Sequence, residues 1–440
     1  MLIFLFSLST PLQSSAPLDH QSLLTFKAAI ISDPNNSLAN WNTTIPMCNW
    51  TGVTCSPNSQ QVVKLNLRAM DLQGVISPAL GNLTALVALY LPFNELHGSI
   101  PAELGKLTRL VNLILIGNYL TGTIPHSISN FSALDQLDLS ENNLHGPIPP
   151  EIGMLTRVQF LYLYANQLSG SIPSSIGNLS NLVVLQLLVN NLTGPIPREI
   201  GNLNRLKQLE LFENNLSGTI PPEIGNLTQL HELVLYDNQL SGTIPFEVVM
   251  LINLQVLYLS KNNLSGTIPP EIGNLAQLKE LRLSQNHFSG TIPSEVGMLI
   301  NLQKLNLWGN KLSGSIPVSL GKISPNLELV DLSHNNLSGY IPGELMANLK
   351  NLDFYLNLSS NFLQGPLPEE IGKLVKAKAI DISSNKLHGM IPTTLAHCVS
   401  LERLNLSHNA FEGPILDTLG MLQNLKFVYL SFNFLSGEIS

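Results

Sequence analysis

A unit of 24 residues recurs down nearly the whole chain, and no other feature restricts its fold as strongly. It is seen clearly at residues 209–232, Leu-Glu-Leu-Phe-Glu-Asn-Asn-Leu-Ser-Gly-Thr-Ile-Pro-Pro-Glu-Ile-Gly-Asn-Leu-Thr-Gln-Leu-His-Glu. One Asn marks the period, at Asn94, Asn118, Asn142, Asn166, Asn190, Asn214, Asn238, Asn262, Asn286 and Asn310. After one- and two-residue insertions it continues at Asn335, Asn361, Asn385, Asn409 and Asn433. An earlier copy, Leu65-Asn-Leu67-Arg-Ala-Met70-Asp-Leu72, carries Met70 in the Asn slot, which makes sixteen frames. A fixed period of this length is the signature of a solenoid, in which stacked neighbours bury what one unit cannot bury alone.

In the Leu-x-Leu segment the apolar residues alternate with period two, which is strand chemistry. Leu209 and Leu211 then point inward, and Glu210 and Phe212 outward. The marker Asn carries donors and an acceptor on one amide, so it can bond the backbone of its own coil and of a neighbour. Stacked copies would form a buried ladder, and Asp in the slot would lose the donor. Gly218 suits an unusual or crowded backbone position. Pro221 ends a second extended segment, and Pro222-Glu-Ile-Gly-Asn-Leu reads as a short helical turn on the convex side. At about 4.8 Å per strand, the coils would form an arc roughly 75 Å long, with a concave parallel sheet that presents side chains in fixed columns.

Length alone would divide 440 residues into about three domains, but the repeat argues for one elongated domain. Charged residues are 12% and hydrophobic ones 44%, as a chain rich in Leu, Ile, Gly and Pro requires. A net charge of −8 with no Lys/Arg run argues against nucleic acid as a partner. No apolar stretch reaches the length of a membrane span. Nothing resembles a nucleophile elbow, a zinc-protease helix or a phosphate loop, so no enzyme activity, cofactor or metal is expected.

Leu-x-x-Leu-x-Leu-x-x-Asn-x-Leu followed by Ser-Gly-x-Ile-Pro resembles the plant-specific class of leucine-rich repeat, over about residues 62–440. The resemblance implies an α/β solenoid: a right-handed superhelix with a concave parallel β-sheet, short helical turns on the convex side and an N-terminal cap. Residues 17–61 read as that cap. Apolar spacing at Leu23, Phe26 and Ile30 predicts a helix, and Cys48-Asn-Trp50-Thr-Gly52-Val-Thr-Cys55 resembles the cap of plant leucine-rich-repeat receptors. The two cysteines suit a local disulfide in an exported protein; zinc would need further ligands, and no His or Cys is near. Cys398 reads as a buried, inert thiol. Residues 1–16 are apolar and then small, which fits a secretory signal without its basic start. The chain stops within a repeat at Ser440, as a fragment of something longer would.

Thirteen N-glycosylation sequons fit export: Asn35, Asn42, Asn49, Asn82, Asn130, Asn178, Asn191, Asn215, Asn226, Asn263, Asn336, Asn357 and Asn405. Asn357 and Asn405 differ from the rest, since they fall at outward strand positions on the concave face. Two positions before the ladder Asn, the outward residue is Ser in coils 4, 9, 10 and 12–16, including Ser260, Ser284, Ser383 and Ser407. In coils 5–8 it is Tyr164, Leu188, Phe212 and Tyr236, and in coil 11 Trp308. The neighbouring columns add Phe160, Tyr162, Val234 and Tyr258. A contiguous apolar stripe open to water marks an interface. Charge sorts along the same face, with Glu210, Glu213 and Asp237 in coils 7–8 and Lys261, Arg282 and Lys304 in coils 9–11, which would set a ligand's direction.

These residues make the expected ligand track. The resemblance extends to leucine-rich-repeat receptor kinases, including the flagellin-receptor group. It implies a cell-surface receptor ectodomain that recognises an extracellular peptide or protein, with a co-receptor kinase joining at the C-terminal coils. It also implies a membrane helix and kinase beyond residue 440. Two other readings remain at this stage: a secreted inhibitor of cell-wall hydrolases, and an ice-binding structural protein built on the Thr219, Thr243, Thr267 and Thr291 row.

Overall fold

The computed structural model describes residues 16–323, 327–415 and 417–437. The leader expected at 1–16 lies outside them, apart from Ala16, which opens a helix. The chain divides into two compact units between Leu168 and Ser169.

The first unit begins with α1, Ala16–Ala28. Leu23 and Phe26 on one face are fully buried. Ile30 is not part of the helix: Ala29 N closes the last turn on Phe26 O at 2.9 Å, and Ile30–Ser32 is a short strand antiparallel to Gln73–Val75. Two consecutive β-branched residues favour extended backbone there. Phe26, Trp41 and Trp50 form an aromatic core, with the indoles stacked at 5.4 Å. Each indole N–H is satisfied, Trp41 on Thr51 O and Trp50 on Ile45 O, both at 3.0 Å. The Cys48–Cys55 disulfide ties the turn Met47–Asn49 to the strand Val53–Cys55. That strand pairs antiparallel with Val62–Asn66 and so covers the open edge of the first coil. Parallel strands Ala88–Tyr90, Asn112–Ile114, Gln136–Asp138 and Phe160–Tyr162 follow.

The second unit repeats one coil. Three-residue parallel strands run in unbroken register, as in Val184–Gln186, Gln208–Glu210, Glu232–Val234, Val256–Tyr258, Glu280–Arg282 and Lys304–Asn306. The central Leu of each is fully buried. A second extended segment follows in each coil, for example Asn215–Thr219, and then a 3₁₀ turn such as Pro222–Asn226. Pro221 starts that turn, its carbonyl accepting Ile224 N at 3.0 Å. Gly218 is required because φ is +79° there, and Gly201 because a Cβ would lie 2.4 Å from Glu223 O. In the coil with the two-residue insertion the turn becomes α2, Gly343–Asn348. Six α residues at about 1.5 Å rise span nearly what five 3₁₀ residues span at about 2.0 Å, so the longer coil keeps its place in the stack.

The ladder Asn knits neighbouring coils. Asn214 Nδ2 donates to Leu187 O of the preceding coil and to Leu211 O of its own, both at 3.1 Å, while its Oδ1 accepts Leu192 N at 3.0 Å. Asn94 Oδ1 accepts both Met70 N and Leu72 N, so the coil with Met70 in the slot is served by its neighbour. The residue before the ladder position adopts a left-handed backbone, as at Val189 (φ 51°), Glu213 (52°) and Asp237 (56°). Sequence reasoning did not anticipate this. Among the described residues no helix is long and apolar enough to cross a membrane.

Candidate functional site

In the second unit, parallel register fixes the outward columns. Gln186, Glu210, Val234, Tyr258, Arg282 and Asn306 fall in one line across adjacent strands. Leu188, Phe212 and Tyr236 follow just after their strands and are half-buried, which fits side chains lying along the sheet. Phe212 and Tyr236 stack with centroids 4.4 Å apart and planes 14° from parallel, a geometry that leaves one broad aromatic surface. The Tyr236 hydroxyl donates to Glu213 Oε1 at 3.3 Å. Burial first, and the Glu213 charge second, push that phenol up to about 12, so it stays a neutral donor at physiological pH. Glu210 accepts Gln186 Nε2 at 3.0 Å; burial raises its carboxyl, and the nearby Glu232 adds to the rise.

Beyond the stack, a cavity of about 250 Å³ opens among Tyr236, Tyr258, Lys261, Arg282, Gln285 and Asn306, with Ser260 and Ser284 at its floor. Ser284 Oγ donates to Ser260 Oγ at 2.9 Å. The Arg282 guanidinium lies 4.4 Å from the Tyr258 ring centroid, within cation–π range. Glu280, which sequence reasoning missed, organises this end. It accepts Arg282 NH2 at 2.9 Å, Lys304 Nζ at 3.0 Å and the Tyr258 hydroxyl. Burial would raise its carboxyl, but the donors from Tyr258 and Lys304 and the Arg282 charge outweigh it and hold it low. Lys261 pairs with Asp237 at 3.0 Å. Of the expected acid and base zones, Asp237 and Lys261 pair across neighbouring coils and Arg282 and Lys304 both pair with Glu280, whereas Glu210 and Glu213 meet the uncharged partners Gln186 and Tyr236. The signal was available: Glu280 and Lys304 are one period apart. Trp308 packs edge-on against His334 at 6.1 Å, three coils past the Phe212–Tyr236 stack.

Several expectations need correction. Val234 is only 6% exposed, because its short side chain lies between the longer Glu210 and Tyr258 of the adjoining strands. It offers no surface to a ligand. The Ser column is not a bland outward row: Ser383 and Ser407 are each 7% exposed. Their hydroxyls donate to Asp381 Oδ1 and Asn405 Oδ1, at 2.6 and 2.7 Å. Asn357 is 8% exposed, with Nδ2 on Ser333 Oγ and Oδ1 accepting Ser359 N, so this sequon is buried in a hydrogen-bond network. Asn405 is half-buried and donates to Asp381 and Ser383. The reason is common to both: a short polar residue on a tightly spaced strand reaches its neighbours rather than solvent. Phe160, Tyr162 and Tyr164 belong to the first unit, where Phe160 and Tyr162 stack at 6.4 Å and Tyr164 bonds Glu141. Cys398 is fully buried, its thiol on Ile371 O and pushed up to about 12 by burial. A free site for metal is absent from the described residues.

The leucine rich repeat N-terminal domain family matches residues 16–56. The leucine-rich repeat region family matches residues 137–244 and 198–331, and two further leucine rich repeat families match 326–353 and 355–411. A probable LRR receptor-like serine/threonine-protein kinase of Arabidopsis thaliana is 47% identical over 73 residues, which is 17% of this chain and 7% of that protein. The LRR ectodomain of the plant membrane receptor kinase GASSHO1/SCHENGEN3 from Arabidopsis thaliana, solved with CASPARIAN STRIP INTEGRITY FACTOR 2, is 36% identical at a TM-score of 0.77. The match covers 95% of this chain and 56% of that one. The Arabidopsis receptor kinase HAESA, solved with the peptide hormone IDA and the co-receptor SERK1, is 31% identical at a TM-score of 0.64, covering 96% and 87%. The chain thus spans a small part of the curated relative and just over half of the first structure. Repeat, cap, disulfide and these likenesses agree: the chain belongs to the leucine-rich-repeat proteins, of the type that forms the ectodomains of plant receptor kinases.

Proposed function

We propose that this chain is the ligand-recognising extracellular part of a plant cell-surface receptor, and that it takes an extended peptide on the outward sheet face of its second unit. The observation that carries this reading is the Phe212–Tyr236 stack leading directly into the cavity lined by Tyr258, Lys261 and Arg282. An aromatic platform beside a polar, charge-lined hollow is the composition of an interface hot spot, and past Trp308 the same column carries buried Ser at Ser333, Ser359, Ser383 and Ser407. Resemblance to receptors solved with peptides supports a peptide ligand, and the HAESA–SERK1 complex supports a co-receptor partner, whose place at the C-terminal coils is part of this reading. The reading places the chain in the secretory pathway and at the cell surface, with signalling carried out by parts of a longer protein.

The test is capture of peptides from fractionated plant extracellular fluid on the immobilised chain, with Kd then measured for each captured peptide. Phe212→Ala and Tyr236→Ala should each lose about 2 kcal/mol of affinity, roughly thirtyfold, with circular dichroism unchanged. Full affinity in both variants would remove the platform from the ligand track.

A further inference from the structure

The first unit carries a second, separate hollow of about 470 Å³ on the outward face of its own sheet, in coils the ligand track does not use. Its floor comes from consecutive parallel strands, in which Tyr90 and Ile114 stand in register, with Ile116 half-buried beside them. Its wall is cationic. Lys64 Nζ lies 5.2 Å from the Tyr90 ring centroid, and the Arg68 guanidinium 5.2 Å from that of Phe93. Phe93 is 42% exposed and has a left-handed backbone, φ 55°, which turns it outward at the rim.

Charge balance separates this hollow from the one in the second unit. There Lys261, Arg282 and Lys304 each hold a carboxylate. Lys64 and Arg68 are exposed, and neither is within ion-pair distance of a carboxylate among the described residues. The carboxylate lining the hollow, Asp138, is buried, and its Oδ1 already accepts Ser140 N and Oγ. Two cations held over rings, with their donors unspent in a chain of net charge −8, form a local site of opposite sign.

We propose that this hollow binds an acidic peptide segment, with a carboxylate on Lys64 and Arg68 and an apolar side chain two residues along over Tyr90 and Ile116. The volume and apolar floor exceed what a bare oxyanion would fill, and an extended peptide puts side chains two residues apart on one face, about 7 Å from each other, so an acidic and an apolar side chain at i and i+2 fall within one such span. Guanidinium and ammonium groups on a partly open rim favour a carboxylate over an isosteric amide by a modest, salt-sensitive margin.

The probes are N-acetylated, C-amidated fluorescent hexapeptides that carry Glu-Ala-Leu, Gln-Ala-Leu or Glu-Ala-Gly cores, plus a Gln-Ala-Leu peptide with a free C-terminus. Anisotropy should show the Glu-Ala-Leu peptide bound about threefold or more tighter than both the Gln-Ala-Leu amide and Glu-Ala-Gly. Tight binding of the free-terminus peptide alone would assign the anion to a chain end and keep the site. Lys64→Gln and Arg68→Gln, each folded by circular dichroism, should erase the acid preference, while Phe212→Ala leaves it intact. Equal binding of the Glu-Ala-Leu and Gln-Ala-Leu amides, or a preference that survives both cation variants, overturns the proposal. A preference lost only with Phe212→Ala also overturns it, by assigning the peptide to the second unit.

Discussion

At the residue scale, the ladder Asn does what no other side chain can do in the same space. Asn238 Nδ2 donates to Leu211 O of the preceding coil at 3.0 Å and to Leu235 O of its own at 3.2 Å, and its Oδ1 accepts Leu216 N at 3.0 Å. Asp keeps the acceptor but replaces the donor with a charge facing two carbonyl oxygens. Asn238→Asp should therefore lower stability by about 1–3 kcal/mol. Gln239→Glu makes the same amide-to-acid change one residue away at an exposed position, and should stay within about 0.5 kcal/mol. Urea unfolding of the two variants decides it, and equal shifts would mean that the amide donors carry no stability. The ladder was legible in the sequence because its chemistry repeats identically. The left-handed residue before it was not, because a backbone angle has no letter of its own. Glycine stands there at Gly117 and Gly309, but Val189 and Phe93 adopt the same conformation under the constraint of the ladder bonds.

The elements that face outward show where column reasoning stops. Alternation predicts direction and says nothing of coverage, so Val234 and Ser383 were expected at the surface and are buried. What covers them is cross-strand pairing between unlike residues, as in the Asp331, Asn357, Asp381, Asn405 line, where register puts acid and amide on alternate strands. Asn405 Nδ2 donates to Asp381 Oδ2 at 3.0 Å and to Ser383 Oγ at 3.2 Å. Asn405→Asp removes both donors and sets two carboxylates on adjacent strands, about 4.8 Å apart. The like charge raises the folded-state pKa of the pair above its unfolded value. A raised carboxyl favours folding below the unfolded pKa and loses that contribution as pH rises through the folded one. The variant should thus be destabilised by about 1–3 kcal/mol at pH 7 and recover as one carboxyl of the pair takes up a proton on acidification toward pH 4. Thermal melts across that range test it; a deficit independent of pH would exclude the charge pairing. The same pairing logic explains Glu280, which reads as one more surface acid until the register places Lys304 beside it and Arg282, two residues along its own strand, reaches back to it.

Across the whole molecule, the sequons mark which surfaces are open to other proteins once sugar is attached. Period and motif were enough to locate all of them, but not to separate a sequon that can carry a glycan from one used by the fold. Asn178 and Asn226 are exposed in the 3₁₀ turns, and Asn191, Asn215, Asn263 and Asn336 are exposed where the second extended segments begin. Asn357 and Asn405 instead spend their amides inside the sheet face, on Ser333, Asp381 and Ser383. A glycan on either nitrogen would need to leave that network and carry a bulky polar group out through a buried position, which strands polar partners at a cost of about 1–3 kcal/mol each. Secreted from plant cells and released enzymatically in heavy-oxygen water, the folded protein should show the mass shift at Asn178, Asn226 and the exposed sites beside the ladder. Asn357 and Asn405 should stay unshifted. Occupancy at Asn357 in protein that unfolds cooperatively would show that its amide is dispensable to the sheet. Absence at both Asn357 and Asn405 would leave the Asp/Asn line of the second unit's outward face bare of sugar, as the hydrogen bonds of the two amides require.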